Sequence, residues 1–555
     1  MIIFTDFYHG GNASEAWQSA FMQAQESGDK HIHFPAGDYH FFPEKCVRKM
    51  HFFCNNDEAL RTIAVYLENI DGLTISGDGA RWIFHGRISP LVAYNCRNLT
   101  LQGIVIDFVE SFTTDADLVR CADGRAWFKL GGSPVVEKGK IRFVDDFFNN
   151  FSGKLTFLAV DDDRSELDLR FPAVVAANQD VVEKDGLFGL PDKLFPPDAA
   201  AFVIRHEIRI CPCIVIDGCK DVKVRQVTMH HSAGMGLLFQ DSENLEVCQV
   251  KVLPHGRRVA VSDDAIHMVD CRGSLAITGC ELRATLDDSI NVHGIYRPLR
   301  NRFPGDDFFY LDTGHFQQQG LRGARSGDTL ELIKNDTHIP YARLKVREAQ
   351  VINKAMTRII FADPVPPEYR PGDTARIVEV SEAEVVIRDC ILSPLNGRGV
   401  LVSGVKKAEI SNCRIHSGGA GVFVSGGVAF WYESGPVEHL VVRNNIFDNC
   451  NYKNTAATSE PVSVYPELDK MPENFFYHGT VEVVDNHFVA ADRPLIAMRS
   501  VRKAVCRSNT VEKSTLYRFE RPRDVGYHFT DERAEITAFQ HCGEIDCDMA
   551  QSIYD

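Results

Sequence analysis

The chain has 555 residues, 44% hydrophobic and 25% charged, a globular composition that excludes a disordered or collagen-like protein. Its net charge of −16 argues against nucleic acid or an anionic membrane as partner, because tracking phosphates needs clustered positive charge. No apolar run approaches the roughly 18 residues that span a bilayer.

The chain opens Met1-Ile2-Ile3-Phe4-Thr5-Asp6, without the basic and apolar regions of a secretory signal. A cytoplasmic location is therefore expected, or a secreted or periplasmic one if a signal has been removed. Asn12 or Ser14 can cap a helix whose Ala16, Trp17, Ala20, Phe21 and Ala24 share one face, and Gly28 ends it. The turn Phe34-Pro35-Ala36-Gly37-Asp38-Tyr39 follows. Helix and turn together resemble the N-terminal cap of pectinase-like β-helix proteins, which a solenoid needs to cover its open end.

From there one form recurs: a polar turn, a short alternating strand, then Asn or Cys. Examples are Ile277-Thr278-Gly279-Cys280, Ile387-Arg388-Asp389-Cys390, Ile410-Ser411-Asn412-Cys413 and Val484-Asp485-Asn486. Cys219 to Ser242, Cys390 to Cys413 and Asn486 to Asn509 are each 23 residues apart. A period near 23 built from short strands with an apolar repeat of two predicts a parallel β-helix and excludes a helix bundle. The expected fold class is all-β: a right-handed parallel β-helix with an N-terminal cap helix and two inserted antiparallel β-barrel-like domains. Cys96, Cys219, Cys271, Cys280, Cys390 and Cys413 sit in repeat slots, so stacked buried thiols are expected rather than disulfides, suiting a reducing compartment. The Cys211-x-Cys213 pair reads as strand packing, and His230-His231 lacks further ligands in metal spacing.

Two stretches break the period with longer strands and Gly-Asp turns such as Gly327-Asp328 and Gly372-Asp373. The expected organisation is a cap and first coils over 1–106, an insertion over 107–205, and central coils over 206–295. A second insertion over 296–378 and C-terminal coils with a tail over 379–555 complete it. Insertions on one face of a solenoid often build its binding site.

The motif that carries chemistry is Asp287-Asp288-Ser289-Ile290-Asn291-Val292-His293-Gly294, and one repeat before Asp287 stands Asp263 of Ser262-Asp263-Asp264-Ala265-Ile266-His267. Equivalent positions on successive coils lie about 4.8 Å apart, so these carboxyls should converge. Crowded carboxyls cannot all ionise easily, and a protonated acid beside an ionised one is what glycosidic cleavage requires. Adjacent strand residues face opposite sides, which favours Asp264 over Asp263. Other doublets, Asp145-Asp146, Asp161-Asp162-Asp163 and Asp306-Asp307, read as turn or surface residues.

This layout resembles the polygalacturonases of glycoside hydrolase family 28, and more closely family 110, the α-1,3-galactosidases. That family carries three Asp before an Asn-Val-His-Gly-like stretch, on a β-helix interrupted by barrels. On that match Asp264, Asp287 and Asp288 inherit the catalytic positions. The following coils, Asn396-Gly397-Arg398-Gly399 and Gly418-Gly419-Ala420-Gly421, lack the polygalacturonase Gly-His and Arg-Ile-Lys motifs, so a neutral galactoside is expected. The resemblance implies exo-acting release of galactose with inversion, no cofactor and no metal, and suggests a homodimer. Inversion implies carboxyls roughly 6.5–9.5 Å apart. Water activation falls to Asp264 with one of Asp287 and Asp288, and the acid role to the other. Asn291, His293, His267 and Arg398 are candidate sugar contacts, and Trp431 of Trp431-Tyr432-Glu433 a stacking platform. Rival readings are a polygalacturonase-like hydrolase, a Ca²⁺-dependent lyase with Arg257, Arg258 or Arg398 as base, and a non-catalytic glycan-binding β-helix.

Overall fold

Ala13–Ser27 form the first helix, because the Asn12 side chain accepts the backbone N–H of Ser14 and Gly28 turns into the left-handed region at φ +73°. Ala16, Trp17, Ala20 and Ala24 are buried, and Trp17 stacks against Phe21 and Phe34 at the end of the first coils. In this computed structural model the described residues are 1–554 except 57–58, 133, 144–152, 164, 168–172, 196–199, 207–208, 210, 301–307, 429, 453–459, 491–493 and 518–535. The doublets Asp145-Asp146 and Asp306-Asp307 lie outside them.

Among the described residues, two long sheets of 22 and 14 strands run the length of the solenoid. The chain is a parallel β-helix. Its coils stack in register: Glu384–Arg388 pairs in parallel with Lys407–Ser411, and that strand with His439–Arg443. Ile266, Met268, Ile290, Val292, Val400 and Val402 point into one continuous apolar core between the sheets. The repeat slots have a common job. Asn486 donates to the backbone carbonyls of Val442 and Val484 at 2.9 and 3.0 Å and to Asn509 Oδ1 at 3.0 Å. Its own Oδ1 accepts from Asn445 N at 3.0 Å. In the cysteine slots the thiol of Cys413 donates to Ser411 O at 3.3 Å, and that of Cys390 to Arg388 O at 3.2 Å. Each slot satisfies a buried corner carbonyl, which is costly to leave unpaired. All 16 cysteines are free thiols.

The first insertion is an eight-stranded sheet running from Thr113–Ala122 to Ala201–Arg205, packed on Phe128, Phe157, Phe195 and Phe202. The second closes into a barrel of six strands from Arg297–Arg300 to Thr374–Ile377. It is tied to the coils by Arg297 on Asp270 and by a bidentate Arg272–Asp328 pair at 2.7 and 2.9 Å. Among the described residues no helix is long and apolar enough to cross a membrane.

Candidate active site

The 14-stranded sheet turns one face inward, and its outward residues form columns across the coils. One column runs His267, Asn291, Leu401, Phe423, with Ile266 and Ile290 in register on consecutive coils. The polar turns entering these strands stack in the same way. Asp264, Asp288 and Arg398 occupy one position on three successive coils. Asp264 Oδ1 accepts the backbone N–H of Asp288 at 2.9 Å, and Asp288 Oδ1 accepts that of Arg398 at 2.8 Å. Gly397, at φ +113°, permits this approach, since a Cβ there would lie 2.5 Å from the Asp287 carbonyl carbon.

The Arg398 side chain also grips the same carboxylate, with Nε 2.9 Å from Oδ1 and Nη2 2.8 Å from Oδ2. Burial pushes Asp288 up to about 6 while Arg398 pulls it back, so the carboxylate is ionised at neutral pH. Burial, then Asp287 and Asp288, raises Asp264 well above the usual carboxylate range. Its second oxygen shares a 2.7 Å hydrogen bond with His267 Nδ1. Asp287 differs from both: its side chain is 30% exposed and meets Arg209 Nη2 at 3.5 Å. Asp263 is buried on Arg205 at 2.8 Å and on the backbone N–H of Arg209 at 2.9 Å, facing away from the pocket.

The three carboxyls line a pocket of about 330 Å³, within the size range of small-ligand sites. Its walls include Asn55, Arg209, Phe423, Trp431 and Glu433 as well as Asn291 and Arg398. Glu433 enters on Glu433–Ser434, which pairs antiparallel with Gly294–Ile295. Its carboxylate accepts from Asn55 Nδ2 at 3.1 Å and Asn291 Nδ2 at 3.4 Å. Burial opposes its ionisation, but His293, His267, Asn55 and Arg209 outweigh that and hold Glu433 at about 2. Trp431 lies against His315, with the Arg209 guanidinium 4.5 Å from the ring centroid. This fixes its orientation on the wall.

Several expectations need correction. His267 and His293, candidate sugar contacts for which the sequence equally allows a structural hydrogen bond, and for His267 favours it, are buried behind the floor, with 0% and 2% exposed. Their Nε2 atoms face each other at 3.0 Å, and His293 Nδ1 bonds Gly294 O at 2.9 Å. Both rings therefore brace the carboxylates from behind. Burial, then His293, pushes His267 down to about 3. The wide carboxyl separation expected for inversion also fails: an oxygen of each of Asp264, Asp287 and Asp288 lies within 4.8 Å of the others. Stacking on adjacent rungs forces this, because rung spacing is about 4.8 Å. Glu433, Arg209 and Asn55 are polar site residues that the sequence does not mark as such. Arg209 and Asn55 sit in no motif, and Glu433 stands out only as a neighbour of Trp431.

Two donor sets could hold a cation: the three carboxyls, suited to a hard ion, and the buried Cys54, His267 and His293, suited to a softer one. Arg257 and Arg258, the lyase-base candidates, are engaged elsewhere. Arg257 meets Asp107 at 3.3 Å, and Arg258 meets Asp162 and Asp117 at 2.6 and 2.7 Å.

Residues 311–374 match the GLAA-B beta-barrel domain II, and residues 376–538 match the right handed beta helix region. Alpha-1,3-galactosidase B of Bacteroides thetaiotaomicron is 26% identical over 95% of this chain and 86% of its own. Alpha-1,3-galactosidase B of Phocaeicola vulgatus is 27% identical over 91% and 88%. Alpha-1,3-galactosidase A of Shewanella woodyi is 24% identical over 92% and 84%. The chain is a relative of the α-1,3-galactosidases. Among solved structures, an exopolygalacturonase from Thermotoga maritima aligns over 92% of this chain and 87% of its own, at 11% identity and a TM-score of 0.37. In this α-1,3-galactosidase relative the barrel match falls inside the second insertion, whose residues Gln317 and Gln318 bond Arg209 and Asn55 at 2.9 and 3.0 Å.

Proposed function

We propose that the protein is a glycoside hydrolase that releases terminal α-1,3-linked galactose from a neutral glycan with inversion, using its own carboxyls. The observation that carries this reading is the rung-by-rung ladder Asp264–Asp288–Arg398, with Asp287 open to the pocket beside it. The names of the relatives supply the galactoside.

The roles follow from what each carboxyl can do. Asp288 is clamped by a guanidinium and a backbone N–H, which favours the ionised form, so it belongs on the base side. Asp264, hydrogen-bonded to the Asp288 backbone, shares the task of holding water. Asp287 is the member exposed to a leaving oxygen and serves as acid. Burial and the two neighbouring carboxyls keep a proton on Asp264. In the reaction that proton reaches the glycosidic oxygen by way of Asp287 as the C1–O bond breaks. Water forms the new bond to C1 and passes a proton to the ionised Asp288.

A separation this short by itself matches double displacement better than inversion. Burial supports inversion: Asp264 and Asp288 are 5% and 0% exposed, with oxygens held by N–H donors, which disfavours an ester between either of them and an anomeric carbon. Water is small enough to reach them. Proton NMR during hydrolysis of an aryl α-galactoside and of α-1,3-galactobiose tests this. β-Galactose appearing first is expected; α-galactose first would refute inversion, and no galactose at all would refute the substrate.

A further inference from the structure

A second cavity of about 400 Å³ adjoins the catalytic pocket, and the Glu467 side chain lines both. The two are consecutive along the solenoid. Ser425 lines the catalytic pocket, and Tyr465, its register partner on the next coil, lines the second cavity. Arg499 follows one coil further, at the end of Ile496–Arg499, whose Met498 pairs with Val464. Each step is about 4.8 Å, so Tyr465 stands three coils, about 14 Å, beyond the Asp288 coil, farther than one sugar reaches from the scissile bond.

Its lining is built for hydroxyls. Arg499 is held by the Tyr465 hydroxyl at 2.6 Å rather than by a carboxylate, which orients its guanidinium without neutralising it. The exposed Glu467 carboxylate makes no hydrogen bond or ion pair with the described residues, which leaves it free to accept from a ligand. From the barrel come Asn335 and His338, placed between Thr329–Ile333 and Pro340–Asn353. His338 is 2% exposed, sits at φ +55°, and has a ring Nδ1 without a partner among the described residues. A buried polar atom without a protein partner is costly, and a ligand hydroxyl in the cavity can satisfy it. Burial holds that ring near 4, so it is neutral at pH 7. Glu467 and Asp469 outnumber Arg499, which disfavours an anionic ligand, while Val428 and Leu468 add apolar surface. Mixed donors, acceptors and apolar patches of this kind suit a neutral sugar.

We propose that this second cavity binds a sugar of the glycan beyond the unit that carries the scissile galactose, with Arg499 and Asn335 as its specificity-determining contacts. The inference rests on the galactosidase reading, which assigns the first pocket to the terminal unit. It gives the inserted barrel a function: selecting the glycan behind the bond that is cut.

The test compares kcat/KM for a trisaccharide ending in α-1,3-galactose with that for 4-nitrophenyl α-galactoside, whose leaving group is no sugar. Asn335→Trp, on an exposed position, fills the cavity mouth, and Arg499→Gln removes the charged donor. Each is expected to lower the trisaccharide-to-aryl ratio about tenfold. An unchanged ratio in the folded Asn335→Trp protein would overturn the proposal. Should both variants misfold, a crystal structure of Asp287→Asn with the trisaccharide decides: density for the reducing-end sugar in this cavity upholds the inference, and density elsewhere refutes it. Wild-type protein inert on both substrates would instead sink the galactosidase reading.

Discussion

Asp287 and Asp288 are neighbours in sequence and opposites in setting. Asp287 is partly exposed and lightly held, whereas Asp288 is buried under the Arg398 fork. Asp287→Asn is expected to cut turnover by orders of magnitude with little change in melting temperature. Asp288→Asn should lose comparable activity and also lower the melting point, because Arg398 is left as a buried charge with a weakened partner. Activity assays beside thermal melts of both variants check this, and near-wild-type turnover in both would refute the site. The pH profile follows from the same pair. A base must be ionised to accept a proton; burial, opposed by Arg398, places Asp288 at about 6. The kcat/KM profile should therefore fall below about pH 6, on its acid limb. An acid limb near pH 4, the range of an unperturbed carboxylate, would contradict the assignment.

At the scale of the element, the coil corner is the unit that repeats. Asn486 is 1% exposed and bonds two backbone carbonyls and two neighbouring asparagines. Replacing it with Ala strands those groups, and the expected loss is about 1–3 kcal/mol, read as a lower urea midpoint. An unchanged midpoint would mean that the Asn ladder is dispensable. The same stacking rule builds the catalytic ladder. Asp264 to Asp288 is one ordinary coil, but Asp288 to Arg398 is a coil interrupted by the barrel. An offset of one plain repeat is readable in the sequence. Across a whole inserted barrel the sequence shows which coil follows, but not that Arg398 meets Asp288, because no fixed spacing joins the two.

Across the whole molecule, the site depends on how the insertions are fixed to the solenoid. Arg297, at the start of the barrel, is paired with the buried Asp270 of the coils. Arg297→Met leaves that carboxylate uncompensated and is expected to cost about 3–5 kcal/mol. Because the barrel residues Gln317 and Gln318 hold Arg209 and Asn55 on the pocket wall, activity should fall with it. Retained activity in a destabilised variant would show that the barrel does not set the wall.

The sequence alone determined the coil period, the capping helix, the apolar alternation and the convergence of Asp264 with Asp287 and Asp288. All of these arise from interactions between residues close in the chain or one repeat apart, so spacing encodes them directly. Only the tertiary structure decided that His267 and His293 stand behind the floor, that Arg398 completes the ladder, and that Glu433, Arg209 and Asn55 enclose the pocket. Those placements bring together segments far apart in the chain, with the two insertions lying between them. Whether a polar side chain faces water or a buried partner is set by what packs across from it, which no local pattern records.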